Sequence, residues 1–324
     1  MKAIAIERFG GPEVLKAVDL PKPYPGDGQI LVRVCACGLN PLDYKIRKGS
    51  FPLDFNFPLV LGYDVSGVVE AVGKGAEEFQ AGDEVFYSPE ILPPGAYAEY
   101  HVVPASIASF KPEGLTHAEA ASVPVAAGTA WQVLFERAGV EIGDSVLVHG
   151  GAGGVGSMAV QIANRAGCEV MATASAENAE YVEELGADLV IDYKTEDFVK
   201  AVLDATSGQG VDVVVDTVGG EVFTRSLQAL SPDGCIVAIA PEAMQGRSLE
   251  ELRAGFYKNA EAHFHFMRRD RFTLDAVARL LERGFIEPLV EDTIPFDPAS
   301  LQKAHARMET GHGRGKLVME ISAD

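Results

Sequence analysis

The chain has 324 residues, 47% of them apolar, and its 47 acidic residues outnumber 27 basic ones for a formal charge of −20. That field repels polyanions, which argues against nucleic acid or an anionic membrane surface as a partner. The length suits two ordinary domains, and four cysteines in so long a chain make no disulfide framework, so a reducing compartment, the cytoplasm, is expected.

Residues 1 to about 110 read as β-rich. Lys2 to Glu7, Val14 to Asp19 and Gln29 to Ala36 alternate or run apolar, and Gly/Pro-rich turns separate them. Asn40 followed by Pro41 opens a short helix as N-cap and first helical residue. Further strands are expected at Val65 to Val72, Glu84 to Tyr87 and Ala96 to Val103. Such strands with tight turns suggest a closed or nearly closed β-body. From Thr116, a capping-box start with Glu119, the period changes and Pro124 to Ala138 reads as one helix. The weakly polar run Ala118 to Trp131 holds Pro124 and Gly128 and is too short to span a bilayer. The N-terminal residues have no signal-peptide apolar core.

Then strands and helices alternate: strands at 145–149, 169–173, 188–192, 211–216 and 234–239, helices at 155–166, 177–185, 196–206 and 221–230. Alternating β and α with Val/Ile-rich strands implies a doubly wound parallel α/β sheet. A further strand is placed around His263 to Met267, then a helix at 273–283 and a strand at 316–321 that break the alternation. The C-terminal part is therefore read as returning to the first domain: 1–122 with 267–324 form one domain, and 123–266 are an insertion.

The stretch Ser145 to Gly156 carries the chemistry. A buried apolar run breaks into five glycines in seven residues, Gly150 to Gly156, and a helix follows. That order suits a dinucleotide pyrophosphate: Gly151 for the tight turn, Gly153 for close approach of backbone to phosphate, Gly156 for helix-strand packing. Gly154 and Val155 open the helix whose N-terminus faces the phosphates. The second strand ends in Ala174-Ser175 with no acid. An acid there would select the ribose 2′-hydroxyl of NAD, so a modest preference for NADP(H) is expected. No Ser-His-Asp order, carboxylate pair or H-E-x-x-H points to hydrolysis.

Several landmarks carry a resemblance: Phe9 to Leu15, Asn40-Pro41-Leu42-Asp43, Ala81-Gly82-Asp83-Glu84-Val85, Gly150 to Gly156, Leu185-Gly186-Ala187-Asp188, Asp216-Thr217-Val218-Gly219, and Gly311 to Lys316. In that order they resemble quinone oxidoreductases of the medium-chain dehydrogenase/reductase superfamily. Asn-Pro-x-Asp-x-Lys at 40–45 is most similar to the alkenal and enone reductase branch. The resemblance implies a GroES-like catalytic domain from both termini, a Rossmann cofactor domain between them, a cleft where they meet, and a homodimer or higher homo-oligomer.

It also implies roles. Asn40, Tyr44, Lys45 and Tyr63 are the candidate catalytic residues. Lys45 resembles the branch lysine that reaches the nicotinamide ribose and the acceptor oxygen; the tyrosines are candidate proton donors. Thr129, Thr173, Ser175, Asn178, Tyr193, Val218, Ala240, Pro241, His265, Phe266 and Lys316 join the glycine turn as candidate cofactor contacts. Relatives preferring NADPH often have a lysine where this chain has Asn178.

Zinc relatives carry a cysteine at the place of Asn40 and a histidine at the place of Tyr63, and no cysteine lies between Gly82 and Pro104. Three ligands are needed for a catalytic zinc. Cys35 with Cys37, and His263 with His265, share strand faces without completing a set, so no metal is expected. Simple ketones place full charge on oxygen, so without a metal a conjugated carbonyl or quinone is the expected acceptor. A non-enzymatic or cofactor-sensing role stands as the alternative. The pocket wall is expected from loops 49–57 and 242–257.

Overall fold

The computed structural model describes residues 1–92, 95–241, 252–311 and 313–322. Residues 242–251, part of the expected wall loop, lie outside the described residues, as does His312 of the 311–316 landmark. The chain splits into two compact units: Met1–Gly128 with Arg269–Asp324, and Thr129–Arg268.

The first unit opens with β1 (Lys2–Ile6), β2 (Lys16–Asp19) and β3 (Gln29–Gly38), then α1 (Pro41–Arg47), β4 (Leu59–Val60), β5 (Val65–Val72), β6 (Glu84–Tyr87), β7 (Tyr100–Pro104), β8 (Ser109–Phe110) and α2 (His117–Ala121). Strand β2 starts two residues later than the sequence suggests, because Pro12–Val14 winds into a 3-10 turn. Helix α1 has Pro41 at its start, Asp43 in its first turn, and Lys45 and Arg47 in its last, each charge suiting the helix dipole. Thr116 and Glu119 cap α2 reciprocally, as the sequence indicates.

Helix α3 (Pro124–Trp131) leads directly into a π-helix, Gln132–Ala138, where the apolar spacing predicted one α-helix. The second unit continues with β9 (Ser145–His149), α4 (Gly154–Ala166), β10 (Glu169–Ala174), α5 (Ala179–Glu184), β11 (Leu189–Asp192), α6 (Phe198–Ala205), β12 (Val211–Asp216), α7 (Glu221–Ala229), β13 (Leu230–Ala238), α8 (Arg253–Tyr257) and β14 (Glu261–Phe264). Among the described residues its six strands form one parallel sheet in the order β11-β10-β9-β12-β13-β14, the doubly wound Rossmann order. Val146, Leu147 and Val148 of the central β9 are fully buried, covered on both faces as parallel strands require. Each such side chain contributes about 1.5–3 kcal/mol of apolar burial.

The chain then returns to the first unit as α9 (Arg271–Glu282), β15 (Val290–Pro295), α10 (Pro298–Met308) and β16 (Lys316–Glu320). The larger sheet of that unit runs β15-β16-β3-β5-β6-β8, with β7 also pairing β3; the smaller runs β2-β1-β4. Strand β16 pairs antiparallel with β3, so the C-terminal segment completes the N-terminal body.

Candidate functional site

The glycine turn follows β9. Gly150, with φ +70°, is the left-handed residue of the turn. Gly151, assigned to the tight turn from spacing, is a central residue of the turn that the Gly153 N–H closes on the Gly150 carbonyl at 3.0 Å, and a Cβ on it would lie 2.9 Å from the Ala172 methyl. Gly156 has the expected packing role, since a Cβ there would sit 2.1 Å from the Gly150 carbonyl oxygen. Gly153 differs. A Cβ on it would meet only the Gly150 oxygen, at 3.4 Å, so protein packing does not require glycine there.

Gly153 is the N-cap of α4, and the first helical carbonyl contact is Ser157 N–H to Gly153 O at 2.9 Å. The N–H groups of Gly154, Val155 and Gly156 precede that bond and have no acceptor among the described residues. Three unmet donors, a helix dipole and open space over Gly153 form a cradle for an anion.

A buried chain holds the turn. Ser226 donates to the Val222 carbonyl at 2.7 Å, so its oxygen accepts from His149 Nε2, 2.8 Å away. His149 Nδ1 then accepts from Thr173 Oγ1 at 3.2 Å, and Thr173 accepts the Gly150 N–H at 3.1 Å. Burial lowers the His149 pKa to about 3, keeping the ring neutral in that tautomer. Thr173, proposed from the sequence as a cofactor contact, thus supports the turn with its hydroxyl. At the end of β10, Asn178 Nδ2 donates to Ser175 Oγ at 3.3 Å, and Tyr193 is half-exposed.

At the end of β12, the buried Asp216 accepts the Val218 and Gly219 N–H groups through Oδ1 at 2.9 and 2.8 Å, while its Oδ2 has no partner among the described residues. Burial raises that carboxyl's pKa, and the two N–H groups lower it. Val218 is half-exposed, Ala240 half-buried and Pro241 exposed; Thr129 is buried. His265 is buried, while Phe266 is more than half exposed. The His265 ring binds Gln132 Oε1 at 3.1 Å through Nε2 and accepts from Arg137 Nε at 3.3 Å through Nδ1. Burial first, then the neighbouring guanidinium groups, push its pKa down to about 4. Gln132 also accepts the Arg268 N–H and donates to the Arg268 carbonyl, so the π-helix fixes residues 265–268. Sequence reading missed Gln132; a polar residue on an otherwise apolar helical face was the available signal.

In the first unit, α1 is held at its N-terminus by buried polar groups. Asn40 Nδ2 donates to Asp64 Oδ2 at 2.9 Å. The Lys316 ammonium donates to Leu39 O and Asp64 Oδ2, both at 2.8 Å, and to Asn40 Oδ1. Asp64 Oδ1 accepts the Val125 N–H at 2.7 Å, at the start of α3. Burial pushes the Asp64 carboxyl above its ordinary value, and the ammonium with the two N–H donors pushes it back. All three protons of Lys316 are used, so this residue, proposed as a cofactor contact, has no donor left for a phosphate. Its cation also sits against Asn40 and Asp64, so a divalent metal there would meet a fixed positive charge. Among the described residues no group of three or more His, Cys, Asp or Glu side chains is placed to hold a metal.

Asp43 accepts the Asn40 N–H at 2.7 Å and the Gly62 N–H at 2.9 Å, tying α1 to the turn before β5. It also takes a hydrogen bond from Tyr97, whose hydroxyl lies 3.3 Å from His305 Nε2; His305 Nδ1 faces Arg47 at 3.4 Å. Burial raises the Asp43 pKa to about 7 against these donors. Tyr63 is fully buried, burial raises its pKa, and its hydroxyl has no partner among the described residues. Tyr44 and Lys45 are half-buried on α1, and the Lys48 ammonium lies over the Tyr44 ring. A Ser66-His117-Glu84 series also occurs, 2.7 and 3.2 Å apart, but Ser66 is inaccessible and donates to the Val85 carbonyl, so it offers no nucleophile.

A doubly wound sheet with an anion cradle at its first turn, inserted into a β-rich unit made from both termini, defines a dehydrogenase/reductase of the medium-chain type. Family models agree: residues 26–113 match the alcohol dehydrogenase GroES-like domain and residues 185–319 a zinc-binding dehydrogenase domain. The chain is 31% identical to human quinone oxidoreductase, covering 98% of this chain and 97% of the relative. It superposes on the quinone oxidoreductase from Coxiella burnetii with a TM-score of 0.90 at 36% identity, covering 99% of both chains. The Escherichia coli quinone oxidoreductase complexed with NADPH gives a TM-score of 0.89 at 29% identity, covering 99% of this chain and 100% of that one. The chain belongs to the quinone oxidoreductase family of the medium-chain dehydrogenase/reductase superfamily.

Proposed function

We propose that the protein is an NADPH-dependent reductase of conjugated acceptors, either quinones or the C=C bond of α,β-unsaturated carbonyls, with the enone and alkenal class favoured. The observation that carries this reading is the cradle at Gly153, where three unmet N–H groups and the space of a missing Cβ fit a pyrophosphate. The absence of an acid at Ser175 supports the 2′-phosphate form. The similar Escherichia coli protein is complexed with NADPH.

Bound NADPH supplies the hydride. The protein's own work is to bind, orient and polarise. The first turn of α4 holds the pyrophosphate, Ser175 and Asn178 present hydroxyl and amide donors to the adenosine phosphate, and Tyr193 lies against it. The backbone at 240–241 and 265–266, with Thr129 and Val218, lines the nicotinamide. Lys45 donates to the carbonyl oxygen of the acceptor, on which negative charge grows as the β-carbon is reduced. That charge is delocalised, so hydrogen bonds from Lys45, Asn40 and a tyrosine suffice without a Lewis acid. Tyr44, half-buried, is the better proton donor of the two tyrosines, because Tyr63 is inaccessible.

A homodimer is part of this reading. It is supported by the edge strand β14 with its half-exposed Phe264, and by Phe256 and Tyr257 exposed on α8. Cytoplasmic placement is supported by four buried cysteines, none in a disulfide. Steady-state rates with one conjugated acceptor test the cofactor choice: kcat/KM is expected to be higher with NADPH than NADH, and the reverse order overturns it.

A further inference from the structure

The amide of Asn40 can be oriented without ambiguity, although its oxygen and nitrogen have nearly the same shape. Lys316 carries only donors, so the Asn40 atom facing it must be the oxygen. Asp64 Oδ2 already accepts from Lys316 at 2.8 Å, so the Asn40 atom 2.9 Å from it must be the nitrogen. Rotating the amide by half a turn would set oxygen against carboxylate and N–H against ammonium, losing both bonds at once. Nor can Lys316 yield, since its other two protons are taken by Leu39 O and Asp64.

One group is left over. The Asn40 nitrogen has two protons, and Asp64 takes one. The second has no acceptor among the described residues, although Asn40 is only 3% exposed. An unmet buried N–H is unfavourable, and a ligand oxygen would recover the lost bond.

We propose that Asn40 is a hydrogen-bond donor to the ligand, presenting its one unmet N–H to a carbonyl-type oxygen, and that Lys316 is the positioning residue that sets this polarity. This rests on the reading that the protein binds NADPH and a conjugated carbonyl. Two oxygens share the required chemistry: the carboxamide oxygen of the nicotinamide and the carbonyl oxygen of the acceptor.

The test is NMR of the asparagine side-chain amides in the wild-type protein, with Asn40 assigned by its loss in Asn40→Ser. The free protein is expected to show two distinct Asn40 protons, one exchanging slowly on Asp64 and one quickly. Adding NADP⁺ should move the fast proton downfield if the nicotinamide is the partner. If it moves only after cyclohexanone joins the NADP⁺ complex, the acceptor is the partner. Both ligands bound with neither proton moving overturns the proposal while leaving the functional reading standing. If neither ligand binds, the functional reading fails, and the free protein still decides the lock: equal, fast exchange of both protons overturns it.

Kinetics give a second measurement. Lys316→Met with Asp64→Asn keeps the buried pocket neutral but frees the amide, and kcat/KM should fall at least tenfold. Restoring a donor-only cation with Lys316→Arg in the wild-type background should keep kcat/KM within about threefold. A folded Lys316→Met/Asp64→Asn variant with wild-type kinetics overturns the role of Lys316.

Discussion

Replacing Gly153 by alanine separates ligand binding from folding. At φ −76° and ψ 171° the backbone accepts alanine, and the new methyl meets only the Gly150 oxygen at 3.4 Å. Alanine restricts the unfolded chain, which stabilises by about 0.4–1 kcal/mol. Alanine is also a poorer N-cap than glycine, by a comparable few tenths to about 1 kcal/mol. The two nearly cancel, so the melting temperature should stay within about 2 °C of wild type. The methyl, however, fills the space through which a phosphate reaches the N–H groups of Gly154, Val155 and Gly156. Loss of one charge-assisted hydrogen bond costs about 1.5–3 kcal/mol, or roughly a tenfold to hundredfold weaker Kd for NADPH.

Gly156→Ala is the contrast. Its Cβ would lie 2.1 Å from one backbone oxygen and 2.8 Å from the carbon bearing it, and backbone cannot step aside. Overpacking of that kind costs about 1–3 kcal/mol, so this variant should melt lower. Fluorescence titration with NADPH and thermal melts on both variants give the answer. The cradle argument is refuted if Gly153→Ala binds NADPH like wild type, or if it loses as much stability as Gly156→Ala.

Three other expectations are open to direct measurement. Lys45→Ala should lower kcat/KM at least tenfold, about 1.4 kcal/mol of transition-state stabilisation, and wild-type kinetics would remove Lys45 from the mechanism. Asn178→Lys should sharpen the preference for NADPH by adding charge opposite the 2′-phosphate, which the ratio of kcat/KM values reports; an unchanged ratio contradicts this. Stability should fall on acidification from pH 6.5 towards 4. His149, His265 and His305 are held near 3, 4 and 3, below the unfolded value, so the unfolded chain takes up protons first. Asp43, raised to about 7, works in the opposite sense, binding a proton in the folded state that the unfolded chain releases above about pH 4. Asp64 and Asp216, also raised by burial, act in the same sense as Asp43, so Asp43→Asn should steepen the fall of stability with acid. A stability curve flat over this range contradicts the burial argument.

Strand β9 and the glycines after it were legible because period, glycine spacing and the following helix all pointed one way. The same consistency placed Asn40 and Pro41 at the start of α1. Strand β15 and helix α10 were not foreseen. Val290–Pro295 carries Glu291 and Asp292 beside half-buried apolar residues, and a mixed edge strand has no clean alternation. The π-helix was read as α because both place apolar residues on nearly the same face over two turns. The left-handed φ of Gly150, one residue before the Gly151 of the turn, was not read, since five clustered glycines fit several turn registers. Lys316 was read as a candidate cofactor contact. Its burial against Asn40 and Asp64 depends on β16 pairing with β3, a contact across most of the chain's length that no local pattern encodes. The Arg47-His305-Tyr97-Asp43 series was invisible for the same reason.

The central claim is reduction of a conjugated system without a Lewis acid, and product identity tests it most directly. NADPH and one enzyme preparation should be incubated with a quinone, a 2-alkenal, an alkenone and a simple ketone, and the products separated and identified. The account predicts the saturated aldehyde or ketone from the alkenal and alkenone, the hydroquinone from the quinone, and little or no turnover of the simple ketone. Allylic alcohols as products, or simple-ketone turnover matching the best conjugated acceptor, would contradict it.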